Sequence, residues 1–350
     1  MISKPRVVII DDSLLVRNIL GDVLSKKKGM EIVATGKTGL DCLDLAERLK
    51  PDAIILDVEM PIMDGLTALA ELKKRKSTSA VIMLSVLTQH GADATFKALE
   101  LGAIDFVPKP NSGNQFSADS IGDSLAEKIT LFLESRQVSE PRAAIPPRKV
   151  EPIDKKGVIQ AVAIGTSTGG PKALQTVFTA IPEDFSKPIF VVQHMPPGFT
   201  KAFSDRLNAV SKIKVKEAEH GDIVESGHAY IAAGDHHMRV VQKGAQRTIE
   251  LDRSPSVNGH RPSIEVMFES LLQSYVASHL LAMIMTGMGR DGSQSITNIR
   301  QKGGVTLAQD EASSVVYGMN RVAVELGGID HVLPLEELVP KTIEIVKMRG

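Results

Sequence analysis

The stretch Ala161–Gly170, AVAIGTSTGG, carries the clearest fold signal in the chain. The apolar, β-branched run from Val158 to Ile164 predicts a strand buried in a parallel sheet. A glycine-rich turn follows, and Pro171 then opens a helical pattern that extends to about Ala180. Proline is favoured at a first helical position because it has no N–H to lose there. Strand, turn and helix in this order predict an α/β fold.

Ser167 lies in that turn, at the carboxyl edge of the predicted sheet and beside a helix N-terminus. Free backbone N–H groups at such a terminus can stabilise a developing oxyanion, so Ser167 is a candidate nucleophile. Residues 165–169, GTSTG, also fit the G-x-S-x-G pattern of serine hydrolases. A phosphate-binding loop is disfavoured because Pro171 displaces Lys172 and Ala173 has no hydroxyl for magnesium. A serine that only caps the helix stays open as an alternative.

Composition limits the classes of protein that fit. A chain of 350 residues predicts two domains, and its 43% apolar and 24% charged residues are typical of a globular protein. The formal net charge of −1 predicts no nucleic-acid partner. Cys42 is the only cysteine, which excludes disulfides and cysteine-rich metal sites. The sequence shows neither a signal peptide nor an apolar run long enough to span a membrane, so we expect a cytoplasmic protein with no direct membrane insertion.

Short apolar strands alternate with helical patterns in the first part of the chain. The predicted strands are Arg6–Ile10, Ile32–Ala34, Ala53–Leu56, Val81–Leu84 and Ile104–Val107. This alternation predicts a doubly wound parallel sheet with its functional groups at the carboxyl ends of the strands. Polar residues occupy those ends: Asp11, Asp12, Asp57, Ser85 and Lys109.

The types of these residues indicate phosphoryl chemistry. Carboxylates that lie close together repel one another unless a hard cation joins them, and Mg²⁺ prefers oxygen ligands. Lys109 can pair with a carboxylate or with phosphoryl oxygens, and the Ser85 hydroxyl can donate to one of those oxygens. A carboxylate held in this way can accept a phosphoryl group as an acyl phosphate. The alternative is that the aspartates only cap helices.

Residues 5 to about 125 resemble a response-regulator receiver domain through VVIIDDS, ILDVEMPIMDG, MLSV and DFVPKP. The resemblance implies a flavodoxin-like fold and phosphorylation of Asp57 by a histidine kinase. It implies that Asp12, Asp57 and the backbone carbonyl of Glu59 hold Mg²⁺, with Asp11 assisting.

The same resemblance implies a phosphorylation switch formed by Ser85 and Phe106, with Lys109 at the phosphorylation site. Ser85 stands where threonine is frequent in the family and Phe106 stands where tyrosine is frequent. Neither departure removes a group that the phosphoryl chemistry needs.

The composition changes after the receiver-like part. Ile121–Leu133 predicts a last amphipathic helix, and residues 134–156 are rich in proline and charge with little apolar periodicity. We therefore expect a receiver domain over residues 1–133, an extended interdomain linker over 134–156 and a second domain over 157–350. An ordered segment packed on one domain is the alternative for residues 134–156.

Two further strands of the second domain end at chemically important residues. Pro188–Gln193 leads directly to His194, and Leu280–Met285 leads to the loop that contains Asp291. Because parallel strands end at one edge of a sheet, we expect Ser167, His194 and Asp291 to meet there as the nucleophile, base and acid of acyl transfer.

Two other arrangements of histidines are possible in this domain. The chain order Ser, acid, His of α/β-hydrolases would require His331, which lies at a predicted strand start and thus at the wrong edge. The pair His236 and His237 could bind a metal, but no Glu-x-x-His spacing or cysteine cluster supports that site.

The second domain resembles the catalytic domain of chemotaxis protein-glutamate methylesterases, the CheB family. The motifs that carry the likeness are AIGTSTGGPKAL, VVQHMPPGFTKAFSDRLN, GHRPSIEVMFES, MTGMGRDGS and GGVTLAQDEASSVVYGMN. The resemblance implies a Rossmann-like fold in which Ser167 is the nucleophile, His194 the base and Asp291 the orienting acid. Backbone amides of Thr168 and Met288 would form the oxyanion hole, and the ester hydrolysis would need no cofactor.

This resemblance implies hydrolysis of glutamate γ-methyl esters on the cytoplasmic domain of chemoreceptors, and deamidation of glutamines through the same acyl-enzyme. The implied partners are a methylated chemoreceptor and the histidine kinase of the chemotaxis system. Two rival functions remain: a DNA-binding response regulator without catalysis, and a serine hydrolase of small esters. The first lacks support because no helix-turn-helix pattern or basic face follows residue 150.

Overall fold

A computed structural model describes residues 4–86, 89–109, 117–137 and 157–349. The chain divides into two compact units, Met1–Glu140 and Pro141–Gly350. Both are α/β units built on parallel sheets, which confirms the predicted fold class.

The described part of the first unit contains one parallel sheet flanked by helices. Its strands are β1 (Arg6–Ile10), β2 (Glu31–Gly36), β3 (Ala53–Asp57), β4 (Ala80–Ser85) and β5 (Asp105–Pro108). Its helices are α1 (Leu14–Asp22), α2 (Gly39–Leu49), α3 (Gly65–Lys74), α4 (Gln89–Leu101) and α5 (Ala118–Gln137), and a π-helical turn spans Val23–Lys27. The strand order β2-β1-β3-β4-β5 is that of flavodoxin-like folds, as the sequence predicts.

The polar residues of the first sheet lie at its carboxyl edge, where the buried apolar strands end. Every residue of β3 and β4 is buried, so these strands carry the core between the two helical layers. The polar residues Asp57 and Ser85 are the last residues of these strands, and both are buried. Asp11 follows β1 and Lys109 follows β5 at the same edge.

The last helix of this unit is longer than the sequence predicts. Helix α5 begins at Ala118 rather than Ile121 and ends at Gln137 rather than Leu133. The first four residues of the expected linker, 134–137, therefore belong to a helix, because their sequence ESRQ contains no helix breaker. The rest of the expected linker, residues 138–156, lies outside the described residues, and the linker boundaries remain predictions.

The second unit is described from residue 157 to residue 349. Its strands are β6 (Ala161–Thr166), β7 (Ile189–Gln193), β8 (Lys214–Glu217), β9 (His228–Ile231), β10 (His237–Lys243), β11 (Gln246–Asp252), β12 (Leu280–Ile284), β13 (Val305–Gln309) and β14 (His331–Leu333). Its helices are α6 (Gly170–Ala180), α7 (Phe199–Val210), α8 (Ile264–Ser274), α9 (Ser293–Gln301), α10 (Met319–Glu325) and α11 (Leu335–Met348), with a 3₁₀ turn at Ala277–His279.

Within residues 157–349, seven parallel strands form one sheet in the order β14-β13-β12-β6-β7-β9-β8. Strand β6 lies between β12 and β7, so the three strands predicted to carry Ser167, His194 and Asp291 are neighbours. Strand β6 begins at Ala161 rather than Val158, and Val158 is 47% exposed because it precedes the covered part of the sheet.

Strands β10 and β11 form an antiparallel hairpin outside this sheet, and β10 packs against α8. Buried residues from β6, β7, β9, β10, β12, α8 and α9 share one apolar core. The hairpin is therefore fixed to the helix that follows it in the chain.

None of the helices in the described ranges is sufficiently long and apolar to cross a membrane.

Candidate functional sites

An acidic cluster lies at the carboxyl edge of the first sheet. Oxygen atoms of Asp11, Asp12 and Asp57 lie within 4.8 Å of one another. The Lys109 Nζ is 2.6 Å from Asp57 Oδ2 and 3.0 Å from Asp11 Oδ2. Asp11 and Asp57 are buried, whereas Asp12 is exposed. The structure thus brings together Asp11, Asp12, Asp57 and Lys109, four of the five polar residues that the sequence placed at these strand ends.

The charges of this cluster are incompletely balanced. The pKa of Asp57 is raised to about 6, chiefly by burial and also by the Asp11 charge, although the hydrogen bond from Lys109 opposes the shift. Burial lowers the pKa of Lys109, but its bonds to Asp57 and Asp11 outweigh burial and the net pKa is raised. One ammonium therefore faces three carboxylates. A divalent cation with oxygen ligands fits this donor set and its excess negative charge.

The other residues predicted for this site lie beside it. The Glu59 N–H is 3.4 Å from Asp57 Oδ1, which places the Glu59 backbone at the cluster. The buried Ser85 Oγ is 2.6 Å from Thr95 Oγ1 of α4, so its hydroxyl pairs with the neighbouring helix. Phe106 is buried in β5. The switch roles of Ser85 and Phe106 and the metal contact of Glu59 stay predictions.

At the second sheet, strand register brings Ser167 and His194 together. Thr166 of β6 pairs with Gln193 of β7, and the His194 N–H donates to Thr166 O at 3.1 Å. Ser167 and His194 are therefore the next residues on two adjacent parallel strands. Ser167 is 6% exposed, and its N–H donates to Thr286 O at 3.0 Å in the loop after β12.

Gly287 explains how closely the loop after β12 approaches the serine. A Cβ at Gly287 would lie 2.8 Å from the Ser167 Cβ and 3.0 Å from the Ser167 N, so no side chain fits there. Met288 follows Gly287 in the chain, so its backbone is one residue from the contact between Gly287 and Ser167. Thr168 is the residue after Ser167. Both predicted oxyanion-hole residues thus lie next to the serine, and their role stays a prediction.

His194 and Asp291 form a buried pair. The His194 Nε2 is 2.8 Å from Asp291 Oδ2. Among the described residues, the buried His194 Nδ1 has no hydrogen-bond partner. His194 therefore binds the aspartate through Nε2, whereas the histidine of chymotrypsin-type proteases binds it through Nδ1.

Asp291 is held by the N-terminus of α8. The Ile264 N–H donates to Oδ2 at 2.6 Å, and the Ser263 Oγ and the Asn258 Nδ2 donate to Oδ1 at 2.8 Å and 3.0 Å. Burial raises the pKa of Asp291, but the hydrogen bond and charge of His194 and the bonds from Asn258 and Ser263 hold it well below its usual range. Asp291 is therefore a carboxylate fixed in place as the partner of His194 Nε2.

Sequence reasoning missed Gln193, the last residue of β7. Its side chain is buried; it accepts a hydrogen bond from Thr166 Oγ1 and donates from Nε2 to the carbonyls of Ser167 and His194, both at 3.0 Å. Gln193 thus fixes both backbones at the site. The only sequence signal for it is a polar residue at the end of an apolar strand.

Sequence reasoning also missed a tight turn that covers the pair. Val257 and His260 are joined by backbone hydrogen bonds, and the two residues between them have positive φ, 53° for Asn258 and 82° for Gly259. Asn-Gly is the preferred dipeptide for such a turn, which is the signal that could have located it. The turn directs Asn258 to Asp291 and stacks the His260 ring on His194, with 3.7 Å between ring centroids.

The rejected histidine arrangements have structural explanations. His331 begins β14, which is three strands away from β6, and the register of the sheet places it level with Ile164 rather than at the strand end that leads to Ser167. The His236 ring nitrogens contact Gly234 O and Arg253 Nε. Both ring nitrogens of His237 also have hydrogen-bond partners. These contacts leave neither member of the His236–His237 pair free to bind a metal.

Two family models match the chain in the predicted order. A model described as response regulator receiver domain matches residues 7–119, and one described as CheB methylesterase matches residues 162–342. The chain is 43% identical to a protein-glutamate methylesterase/protein-glutamine glutaminase of Pyrococcus horikoshii, over 99% of this chain and 96% of that protein. It is 42% identical to protein-glutamate methylesterase/protein-glutamine glutaminase 2 of Pseudomonas aeruginosa, over 98% of this chain and 97% of that protein.

The second unit also matches a solved structure. The crystal structure of the CheB methylesterase catalytic domain of Thermotoga maritima is 40% identical, with a TM-score of 0.52. The match covers 55% of this chain and 100% of that domain. With full-length relatives and both family models in agreement, the chain belongs to the CheB family of protein-glutamate methylesterases with an N-terminal receiver domain.

Proposed function

We propose that this protein hydrolyses glutamate γ-methyl esters, and deamidates glutamines, on chemoreceptors, with Ser167, His194 and Asp291 as its catalytic triad. The observation that carries the proposal is the His194–Asp291 pair at 2.8 Å beside the strand end that bears Ser167. It rests further on family membership, since the relatives are named for both reactions. The chemoreceptor as substrate also implies action in the cytoplasm.

The first half-reaction forms an acyl-enzyme. The Ser167 Oγ attacks the ester carbonyl while His194 Nδ1 takes the serine proton, and Asp291 stabilises the resulting imidazolium through Nε2. Backbone N–H groups of Thr168 and Met288 stabilise the negative charge on the carbonyl oxygen. The tetrahedral intermediate then collapses, and methanol leaves with the proton that His194 returns.

The second half-reaction restores the enzyme. Water attacks the acyl carbonyl as His194 again accepts a proton. The bond to Ser167 Oγ then breaks, His194 returns the proton to that oxygen, and the glutamate side chain is released. A glutamine side chain follows the same route, with ammonia as the leaving group. One site therefore supports both reactions named for the relatives.

The receiver domain would control this activity through phosphorylation of Asp57 by the chemotaxis histidine kinase. Mg²⁺ would be held by Asp11, Asp12, Asp57 and the Glu59 carbonyl, and it supplies positive charge to the transferring phosphoryl group. Lys109, 2.6 Å from Asp57 in the unphosphorylated site, is placed to neutralise a phosphoryl oxygen once Asp57 is modified.

Methanol release from methylated receptor membranes tests the proposal, with the full-length protein assayed with and without a small phosphodonor. We expect release that increases with the phosphodonor. A protein that cleaves small esters but leaves methylated receptors intact would instead be a general serine hydrolase. Specific binding to DNA without methanol release would favour the non-enzymatic regulator.

A further inference from the structure

His237 is a buried histidine to which none of the chemical steps proposed above assigns a role. It is the first residue of β10, and its side chain is completely buried. Its Nε2 is 3.1 Å from Pro255 O, and its Nδ1 is 3.2 Å from the Ser263 N–H. Because a backbone carbonyl can only accept and a backbone N–H can only donate, the ring must carry its proton on Nε2 and accept at Nδ1.

The Ser263 contact leads directly to the catalytic acid. Ser263 is the N-cap of α8, and its Oγ donates to Asp291 Oδ1 at 2.8 Å. The next N–H, from Ile264, donates to Asp291 Oδ2 at 2.6 Å. His237 therefore fixes the backbone of Ser263, whose side chain binds Asp291 Oδ1. The neighbouring residue, Ile264, binds Asp291 Oδ2.

The rest of the hairpin is joined to α8 independently of His237. The Val240 N–H donates to Ser270 Oγ at 3.0 Å, and the Ser274 Oγ donates to Val240 O. Ser270 and Ser274 lie about two and three turns beyond Ser263 along the helix. Loss of the His237 bond would therefore release the N-cap locally and leave the hairpin attached to the helix.

We propose that His237 is a positioning residue for the reaction: its Nδ1 anchors the Ser263 N-cap so that Asp291 is held at the distance and angle that His194 requires. The inference rests on the proposed function of His194 and Asp291. A small displacement of the carboxylate lowers the rate of the chemical step, because proton transfer depends on the orientation of the imidazole. The effect should fall on kcat, since the His237 side chain is completely buried and cannot contact a substrate directly.

Two substitutions in the full-length protein distinguish the contribution of His237 Nδ1 from that of His237 Nε2. In His237→Asn the amide oxygen lies near the position of Nδ1 and can still accept from Ser263. In His237→Gln the amide nitrogen reaches the position of Nε2 and keeps only the Pro255 contact. Both replace the same buried ring, so their midpoints of thermal unfolding provide the control for a general loss of stability.

We expect His237→Gln to lower kcat for methanol release by about 10-fold or more, with KM unchanged, and His237→Asn to retain within about 3-fold of the wild-type kcat. Equal losses in two equally stable variants, no loss in either, or a larger loss for asparagine would overturn the proposal. A wild-type protein without esterase activity would instead refute the proposed function itself.

A second measurement needs no substitution. The ¹⁵N chemical shifts of the His237 ring in the full-length protein distinguish a protonated from an unprotonated nitrogen. We expect an unprotonated Nδ1 and a protonated Nε2 at about pH 7.5, where the esterase would be assayed. A proton on Nδ1 would exclude the contact with Ser263 and with it the positioning role.

Discussion

Each half of this protein buries an aspartate at the carboxyl edge of a parallel sheet, yet folding shifts the pKa values of the two carboxyls in opposite directions. Burial raises the pKa of Asp57 to about 6. Asp291 is equally buried, but its pKa lies well below the usual range because His194, Asn258 and Ser263 all stabilise its charge.

The difference lies in the partners that each fold supplies. Asp57 has one close donor, Lys109 at 2.6 Å, a distant backbone N–H, and the repulsion of Asp11. Asp291 has a helix N-terminus, two side-chain donors and a histidine. Asp57 is thus left short of positive charge, which suits a group that binds a cation and accepts a phosphoryl group. Asp291 is a permanent anion, which suits a group that orients an imidazole.

The largest expected effect comes from Ser167→Ala. This substitution should lower methanol release by about 10³–10⁶-fold, because only binding and oxyanion contacts remain. Circular dichroism and thermal unfolding should match the wild type, since the side chain loses only a hydroxyl. A variant that keeps more than about a tenth of the rate would exclude Ser167 as the nucleophile.

The next largest effect should come from Asp291→Asn, which tests the role of the Asp291 carboxylate. Asp291→Asn should lower kcat by about 10²–10⁴-fold, because an amide can neither stabilise the imidazolium nor fix the same tautomer. Asp310→Asn, a change of the same kind at an aspartate away from the His194 contact, provides the control. An Asp291→Asn protein with full activity would remove the acid from the triad.

Phosphorylation of Asp57 should change the rate of methanol release by a smaller factor. A small phosphodonor and Mg²⁺ should label Asp57 and raise activity by about 5- to 150-fold, the range of ordinary allosteric coupling. Asp57→Asn should abolish both the label and the stimulation, and chelation of divalent cations should do the same to the wild type. Label that survives the substitution would place the modification elsewhere, and label that survives chelation would refute the cation site.

The smallest effect concerns stability and pH. A carboxyl whose pKa is lowered by folding stabilises the folded state above its ordinary pKa of 3.8, and this contribution is lost as pH falls toward the folded value. Asp291→Asn should therefore lower the free energy of unfolding by about 1–3 kcal/mol near pH 7, where charge-assisted hydrogen bonds are lost. The difference from wild type should shrink below about pH 4. A difference that stays constant with pH would contradict the lowered pKa.

The sequence predicted the sheets and the positions of their polar ends, because buried parallel strands are apolar runs and a polar residue marks the end of each run. Asp57, Ser167 and His194 are each next to such a run. The support of Asp291 could not be predicted in this way. It comes from the 257–263 segment and from His237, whose contacts depend on how a hairpin packs on α8 and leave no periodic pattern. The Asn-Gly dipeptide at 258–259 indicates a turn but not the carboxylate it faces.

The most direct test of the account asks whether the triad acts as one unit. Methanol release is measured for wild type, Asp291→Asn, His194→Ala and the double variant, under identical phosphodonor conditions. Because Asp291 is proposed to act only through His194, we predict that Asp291→Asn costs about 10²–10⁴-fold in the wild type and almost nothing further once His194 is alanine. The same loss in both backgrounds would show that the two residues act independently and would contradict the catalytic assignment.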